Sequence, residues 1–179
     1  ILMQSFTEQT HYDFKIGLHR LDASGSYDPE VINKIIKTLT AIANYGPKSV
    51  GYVIIGVADK EIDAIRHSKL YGNPPVQFNR FHITGVEDEA NKNIRGLDGY
   101  LQRIRQSVSD APIPGAAISQ INRDTRLVHY YGKAVVVMKI VGGVEPYTFD
   151  SKFYERHVTD VIEVKTENLT ALFRRFLQV

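Results

Sequence analysis

Cysteine and tryptophan are both absent from this chain of 179 residues. The absence of cysteine excludes a disulfide scaffold, a thiolate metal site and a cysteine nucleophile. It also fits a reducing compartment, and we therefore expect a cytoplasmic protein. Tyrosine, phenylalanine and aliphatic side chains must supply the core, and a hydrophobic content of 43% is enough for one domain of this size.

Long apolar runs are also missing. The longest, residues 134–141, is interrupted by Lys139 and is too short to cross a bilayer, so no contact with a membrane is expected. The segment Ile1 to Gln4 has neither the basic region nor the long apolar region of a signal peptide. Because position 1 is Ile, we expect residues 1–179 to be a single domain taken from a longer protein that carries other domains.

Neither sign of charge is in large excess. The chain has 22 basic and 20 acidic side chains, which leave a net charge of +2. This balance neither requires nor excludes a polyanionic partner. Only clustering of basic side chains on one face would create an attractive surface.

The first part of the chain alternates between strand and helix patterns. Residues 11–16 alternate apolar and polar side chains, which predicts a strand with Asp13 and Lys15 on a polar face. Asp28-Pro29-Glu30 is a typical helix start, and apolar residues at helical spacing predict an amphipathic helix that ends at Asn44.

A continuous apolar run, residues 51–58, predicts a central strand with Asp59 at its C-terminal end. The remaining patterns predict helices at 61–69, 97–108 and 169–177, and strands at 80–84, 116–121, 127–131, 134–141, 152–157 and 161–165. Strands outnumber helices, and hairpins dominate the second half. We therefore predict an α+β fold, a mixed and largely antiparallel sheet with helices packed on it.

The sequence indicates neither a phosphate-binding loop nor a zinc site. Gly46-Pro47-Lys48-Ser49 lacks the first glycine of a phosphate loop and runs from helix to strand, the reverse of the required order. The six histidines are scattered, and no pair has the spacing of zinc ligands.

Several short motifs follow one another in a defined order. Glu8 is followed after four residues by Asp13-Phe14-Lys15, and an amphipathic helix then ends in Ala43-Asn44. An apolar strand runs into Gly56-Val57-Ala58-Asp59, and Tyr154-Glu155-Arg156 precedes a terminal helix. In this order the motifs resemble the Schlafen-type AlbA-like domain over nearly the whole chain.

The resemblance implies a nucleic-acid-binding domain with an endoribonuclease site for structured RNA such as tRNA. Carried over from that family, Glu8, Asp13 and Asp59 are expected to be both catalytic residues and ligands of Mg²⁺ or Mn²⁺, for which carboxylate oxygens are suitable ligands. Lys15 is expected to assist catalysis and to hold a phosphate, and Arg156 to contact a nucleic-acid backbone.

Three alternatives stay open at this point. The domain is a nuclease, a non-catalytic DNA- or RNA-binding or sensor module of a larger defence or regulatory protein, or an interaction domain whose acids are merely solvated. Arg156 is equally well interpreted as an exposed strand residue. Solvated helix faces are expected for Arg103, Arg105, Arg174 and Arg175, and either pair could widen a basic groove. Because Schlafen cores join two related lobes, a homodimer is also expected.

Overall fold

The structure, a computed structural model, describes residues 11–177 except for the side chain of Asn93. The strands of this range are β1 (Tyr12–Lys15), β2 (Val50–Ile55), β3 (Val57–Ala58), β4 (Val76–Phe78), β5 (Phe81–Ile83), β6 (Arg126–Tyr130), β7 (Lys133–Val141), β8 (Thr148–Phe149), β9 (Lys152–His157) and β10 (Asp160–Glu163). The helices are α1 (Pro29–Ala43), α2 (Glu61–Tyr71), α3 (Glu87–Asn93), α4 (Gly96–Ser109), α5 (Gly115–Asp124) and α6 (Leu169–Arg174), with a short 3₁₀ turn at Thr166–Asn168.

The main sheet has four strands in the order β1-β2-β7-β6. Strand β1 runs parallel to β2, with α1 as the crossover between them, whereas the β2–β7 and β7–β6 pairs are antiparallel. The predicted α+β fold with a mixed, largely antiparallel sheet is therefore confirmed.

Two cores lie on opposite faces of this sheet. The larger one packs α1, α4 and α5 against β2 and β7, with Ile35, Val53 and Val136 among its fully buried side chains. The smaller one is covered by a second sheet, β3-β5-β4, and is built around Phe14 and Phe81. Strand β1 therefore has buried residues on both faces.

Gly56 lets the chain pass from the main sheet to the second one. Its φ of 103° lies in the region that favours glycine, and it divides the predicted strand 51–58 into β2 and β3. The Gly56 N–H donates to Lys15 O, while its own carbonyl accepts from the N–H groups of Thr84 and Gly85. The strand β5 is thereby fixed beside the C-terminal ends of β1 and β2.

Helix α1 begins as predicted, since the Asp28 carboxylate accepts a hydrogen bond from the Glu30 N–H. Its C-terminal half is buried on all sides, because the third sheet, β10-β9-β8, packs on the side away from the main sheet. Asn44 joins the helix end to that sheet. Its side chain donates to Tyr147 O and Tyr154 O and accepts from Tyr147 N–H, at 2.9, 2.9 and 2.7 Å.

Besides the division of strand 51–58 at Gly56, several elements differ from the sequence predictions, and strands β4 and β8 were not predicted. Residues 116–121, predicted as a strand, belong to α5, because Ala117 and Ile121 bury one helical face against β7. Helix α3 was not predicted. The last helix ends at Arg174 instead of 177. Among residues 11–177, no helix combines the length and the apolar character needed to cross a membrane.

Asn44→Ala is expected to lower the free energy of unfolding by about 3 kcal/mol, because it removes three hydrogen bonds and leaves buried Tyr147 backbone groups without their partner. Urea denaturation measures the change. Asn33→Ala, at an exposed position of the same helix, is the matched control and should change stability by less than about 0.5 kcal/mol. Equal effects of both substitutions would contradict the role given to Asn44.

His67 makes stability depend on pH. The residue is 2% exposed, and neither ring nitrogen has a hydrogen-bond partner among the described residues. Burial lowers the pKa of His67, so below about pH 6.5 the unfolded chain binds a proton that the folded chain resists. Stability should therefore fall as the pH drops from 7 to 5.

The His67 contribution is isolated by comparing variants. His67→Leu should lose its share of the pH dependence in urea denaturation at pH 7 and pH 5, whereas His129→Leu, at an exposed position, should keep it. A His67→Leu protein with the same pH dependence as the parent would refute this assignment.

Candidate functional site

Asp13 lies in a buried cluster of charges. It is 4% exposed and stands in register with Val53, which belongs to the helix-covered core. Its carboxylate is 2.6 Å from Lys15 Nζ and 3.3 Å from Arg156 Nη2. The predicted polar face of β1 is thus turned inward, and Asp13 is neutralised by two cations of the protein itself.

Arg156 is not an exposed strand residue, and the expectation that it contacts a nucleic-acid backbone needs correction. It is 1% exposed, its Nη2 donates to Asp13 Oδ1, and its Nε donates to Val158 O at 2.9 Å. The Tyr45 hydroxyl in turn donates to Arg156 O. In this arrangement the guanidinium links β9 to β1 and does not reach solvent, so a phosphate cannot approach it.

The three acids expected to bind metal are not seen together. Glu8 lies outside the described residues. Asp59 is half-buried just after β3, and no salt bridge of the described residues includes it. Within residues 11–177 no group of three or more His, Asp or Glu side chains is placed to hold a metal ion.

The charges around Asp13 bear on whether it can bind a divalent metal ion. A divalent cation at Asp13 would meet Lys15 and Arg156, both within 3.3 Å of the carboxylate. As arranged, Asp13 does not fit a Mg²⁺ or Mn²⁺ site. The Lys15 side chain is 31% exposed. Its Nζ forms the ion pair with Asp13 and also donates a hydrogen bond to Phe14 O.

A groove along α4 is a cationic site that the sequence does not predict. It has a volume of about 850 Å³ and is lined by Tyr27, Ile94, Arg95, Gly99, Gln102, Arg103, Gln106 and Ser107, with no carboxylate among these described residues. The guanidinium carbon of Arg103 lies 4.7 Å from the ring centroid of Tyr27. A guanidinium at this distance from an aromatic ring is attracted to the ring and can still donate N–H groups to an oxyanion.

A buried hydrogen-bond network holds Tyr27 in place. Glu89 accepts hydrogen bonds from Leu18 N–H and from the Tyr100 hydroxyl, and its other oxygen lies 3.0 Å from His19 Nδ1. The His19 ring meets the Tyr27 ring edge-on at 5.7 Å, and the two backbones form an isolated β-bridge. Burial, with the charge of Glu89, raises the pKa of Tyr100 well above its usual value, so Tyr100 stays a donor.

Sequence reasoning found only part of this groove. The sequence predicts Arg103 on a solvated helix face that could widen a basic groove, whereas nothing in it singles out Arg95, Tyr27 or Glu89. The available signal was the apolar stripe of α4, which turns Arg103 away from the core. The pairing of Tyr27 with Arg103 joins residues 76 positions apart and has no local signature.

Asp13→Ala is expected to lower the free energy of unfolding by about 3–5 kcal/mol, because it leaves the buried Arg156 charge without its carboxylate. Asp59→Ala, at a half-buried acid without a salt bridge, should cost less than about 1 kcal/mol. Urea denaturation separates the two. If Asp13→Ala left stability unchanged or raised it, Asp13 would not be the structural anchor described here.

Comparisons with known proteins establish the fold and nothing finer. No protein-family model matches the chain, and no curated protein matches it. Among solved structures it is similar to the DIP2311 protein from Corynebacterium diphtheriae, with a TM-score of 0.50 and 16% identity over 92% of this chain. The chain spans 25% of the length of that protein. At this identity the likeness shows a shared fold and carries no function.

Proposed function

We propose that this domain binds nucleic acid, RNA or DNA, through phosphate contacts in the α4 groove. The observation that carries the proposal is the pairing of Arg95 and Arg103 in a groove without a described carboxylate. Two guanidinium groups can each bind a phosphate through two parallel N–H donors. The neighbouring amide of Gln102 supplies a further donor, whereas Gln106 Nε2 already donates to the Asp110 carboxylate.

The domain acts in this proposal as a binding module in the cytoplasm, not as a nuclease. Asp13 supports that choice, since its two oxygens face Lys15 and Arg156 and its burial ties it to stability. Metal-dependent cleavage of structured RNA, which the resemblance to Schlafen-type domains implies, would require Asp13 to leave both partners. Cleavage therefore stands as the alternative outcome of the experiments below.

Arg95→Ala with Arg103→Ala should weaken binding of a tRNA or a DNA duplex by about tenfold for each arginine, because each loses a charge-assisted hydrogen bond to phosphate. The slope of log K against log salt concentration should become shallower by about one unit for each arginine removed. Fluorescence anisotropy across a salt series measures both quantities.

Arg105→Ala is the matched control, because Arg105 is exposed on the same helix but does not line the groove. It removes the same charge and should leave the affinity within about twofold of the parent. Equal losses for Arg103→Ala and Arg105→Ala would mean that net charge, not the groove, drives binding. Absence of any binding at low salt would overturn the proposal as a whole.

The same samples distinguish binding from cleavage. Incubation of the tRNA with the parent protein and Mn²⁺ should leave the RNA intact on a denaturing gel. Cleavage that Asp59→Ala abolishes, in a protein that stays folded, would instead support the metal-dependent endoribonuclease.

A further inference from the structure

Two hairpin turns bring three aromatic rings together at one end of the molecule. Tyr131 lies in the turn between β6 and β7, and Phe78 ends β4 beside the turn into β5. The Tyr131 ring centroid is 5.5 Å from that of Phe78 and 4.8 Å from that of Tyr130, and Phe78 and Tyr130 are 6.0 Å apart. We refer to Phe78, Tyr130 and Tyr131 as the aromatic tip.

Tyr131 is an unfavourable residue for its own position. Its φ is 51° and that of Gly132 is 75°, as in the two-residue hairpin turn that favours Asn-Gly. Bulky side chains adopt this backbone region at a cost. Tyr131 is also 59% exposed, so burial recovers only part of what the turn conformation costs.

The two hairpins that carry the aromatic tip contain cationic side chains and no acidic ones. Residues 76–83 and 126–134, which form the two hairpins, contain no Asp or Glu. They contain Arg80, Lys133 and Arg126 together with His82 and His129. The Glu87 carboxylate accepts a hydrogen bond from the Ala134 N–H of the second hairpin.

We propose that the aromatic tip stacks an unpaired base of single-stranded RNA or DNA, with Arg80 and Lys133 beside it for the adjoining phosphates. This assignment rests on the proposed function and adds to it the class of nucleic acid that is preferred. Exposed aromatic faces bind bases of any sequence by stacking, whereas a base pair inside a duplex offers no face to the ring.

Tyr131→Asn tests the proposal against a purely structural role. Asparagine suits the turn, so the variant should melt at the same temperature as the parent or higher. Its affinity for a short single-stranded RNA should nevertheless fall about tenfold, as expected for loss of one stacked base, with duplex binding unchanged. Tyr131→Phe keeps the ring and should bind the single strand like the parent. Anisotropy titrations and thermal melts give both readouts.

The outcomes separate this proposal from the first one. If the parent protein binds and Tyr131→Asn binds the single strand equally well, the tip is not a stacking site, although the groove remains. If Arg95→Ala with Arg103→Ala binds normally while Tyr131→Asn does not, the groove fails and the tip stands. Loss of self-association in Tyr131→Asn, with unchanged RNA binding, would make the tip a protein contact and overturn the proposal. A parent protein that binds no nucleic acid refutes both.

Discussion

The buried contact between Asp13 and Arg156 constrains most of what this fold can do. The two residues are 143 positions apart, and neither charge can remain in the interior without the other. Their contact requires β9 to lie against the end of β1. Asn44 then fixes the same sheet to the end of α1 through Tyr147 and Tyr154. The C-terminal third of the chain is held by these two polar contacts as well as by apolar packing.

This contact also bears on which surfaces of the domain can attract a charged partner. A carboxylate between Lys15 and Arg156 has its charge cancelled locally, so it attracts no further cation and repels no anion. Cationic side chains outside this contact lie on α4 and on the two hairpin turns. Both places present cations, and among their described side chains the groove has no carboxylate and the hairpins have no acid. A polyanion is the partner that suits both surfaces.

Local signals explain which parts of the fold were predictable. The Asp28 cap, the apolar run of β2 and the β9–β10 hairpin depend on residues close in sequence, and all were placed correctly. The prediction of a strand at residues 116–121 is wrong because a short apolar segment fits both the helical and the strand periodicity. These residues are helical in the structure, where α5 packs on β7. The burial of Arg156 had no local signal, because its partner Asp13 is near the other end of the chain.

Helix α3 determines how the groove and the aromatic tip relate to one another. It begins next to the hairpin that carries Tyr131, where Val86 N–H donates to Ala134 O, and it ends two residues before Arg95. Its 7 residues rise about 10 Å along the helix axis. The α3 acids are engaged: Glu87 bonds Ala134, Glu89 bonds His19, and Asp88 accepts from Asn73. The Ala134 N–H and the Asn73 amide are neutral donors that do not cancel the charge of a carboxylate, so Glu87 and Asp88 would repel a phosphate chain laid along α3. The groove residues Tyr27 and Ile94 pack against the helix-covered core, whereas Phe78 and Tyr130 of the aromatic tip pack against the core on the other face of the sheet, so the two sites are best understood as separate contacts.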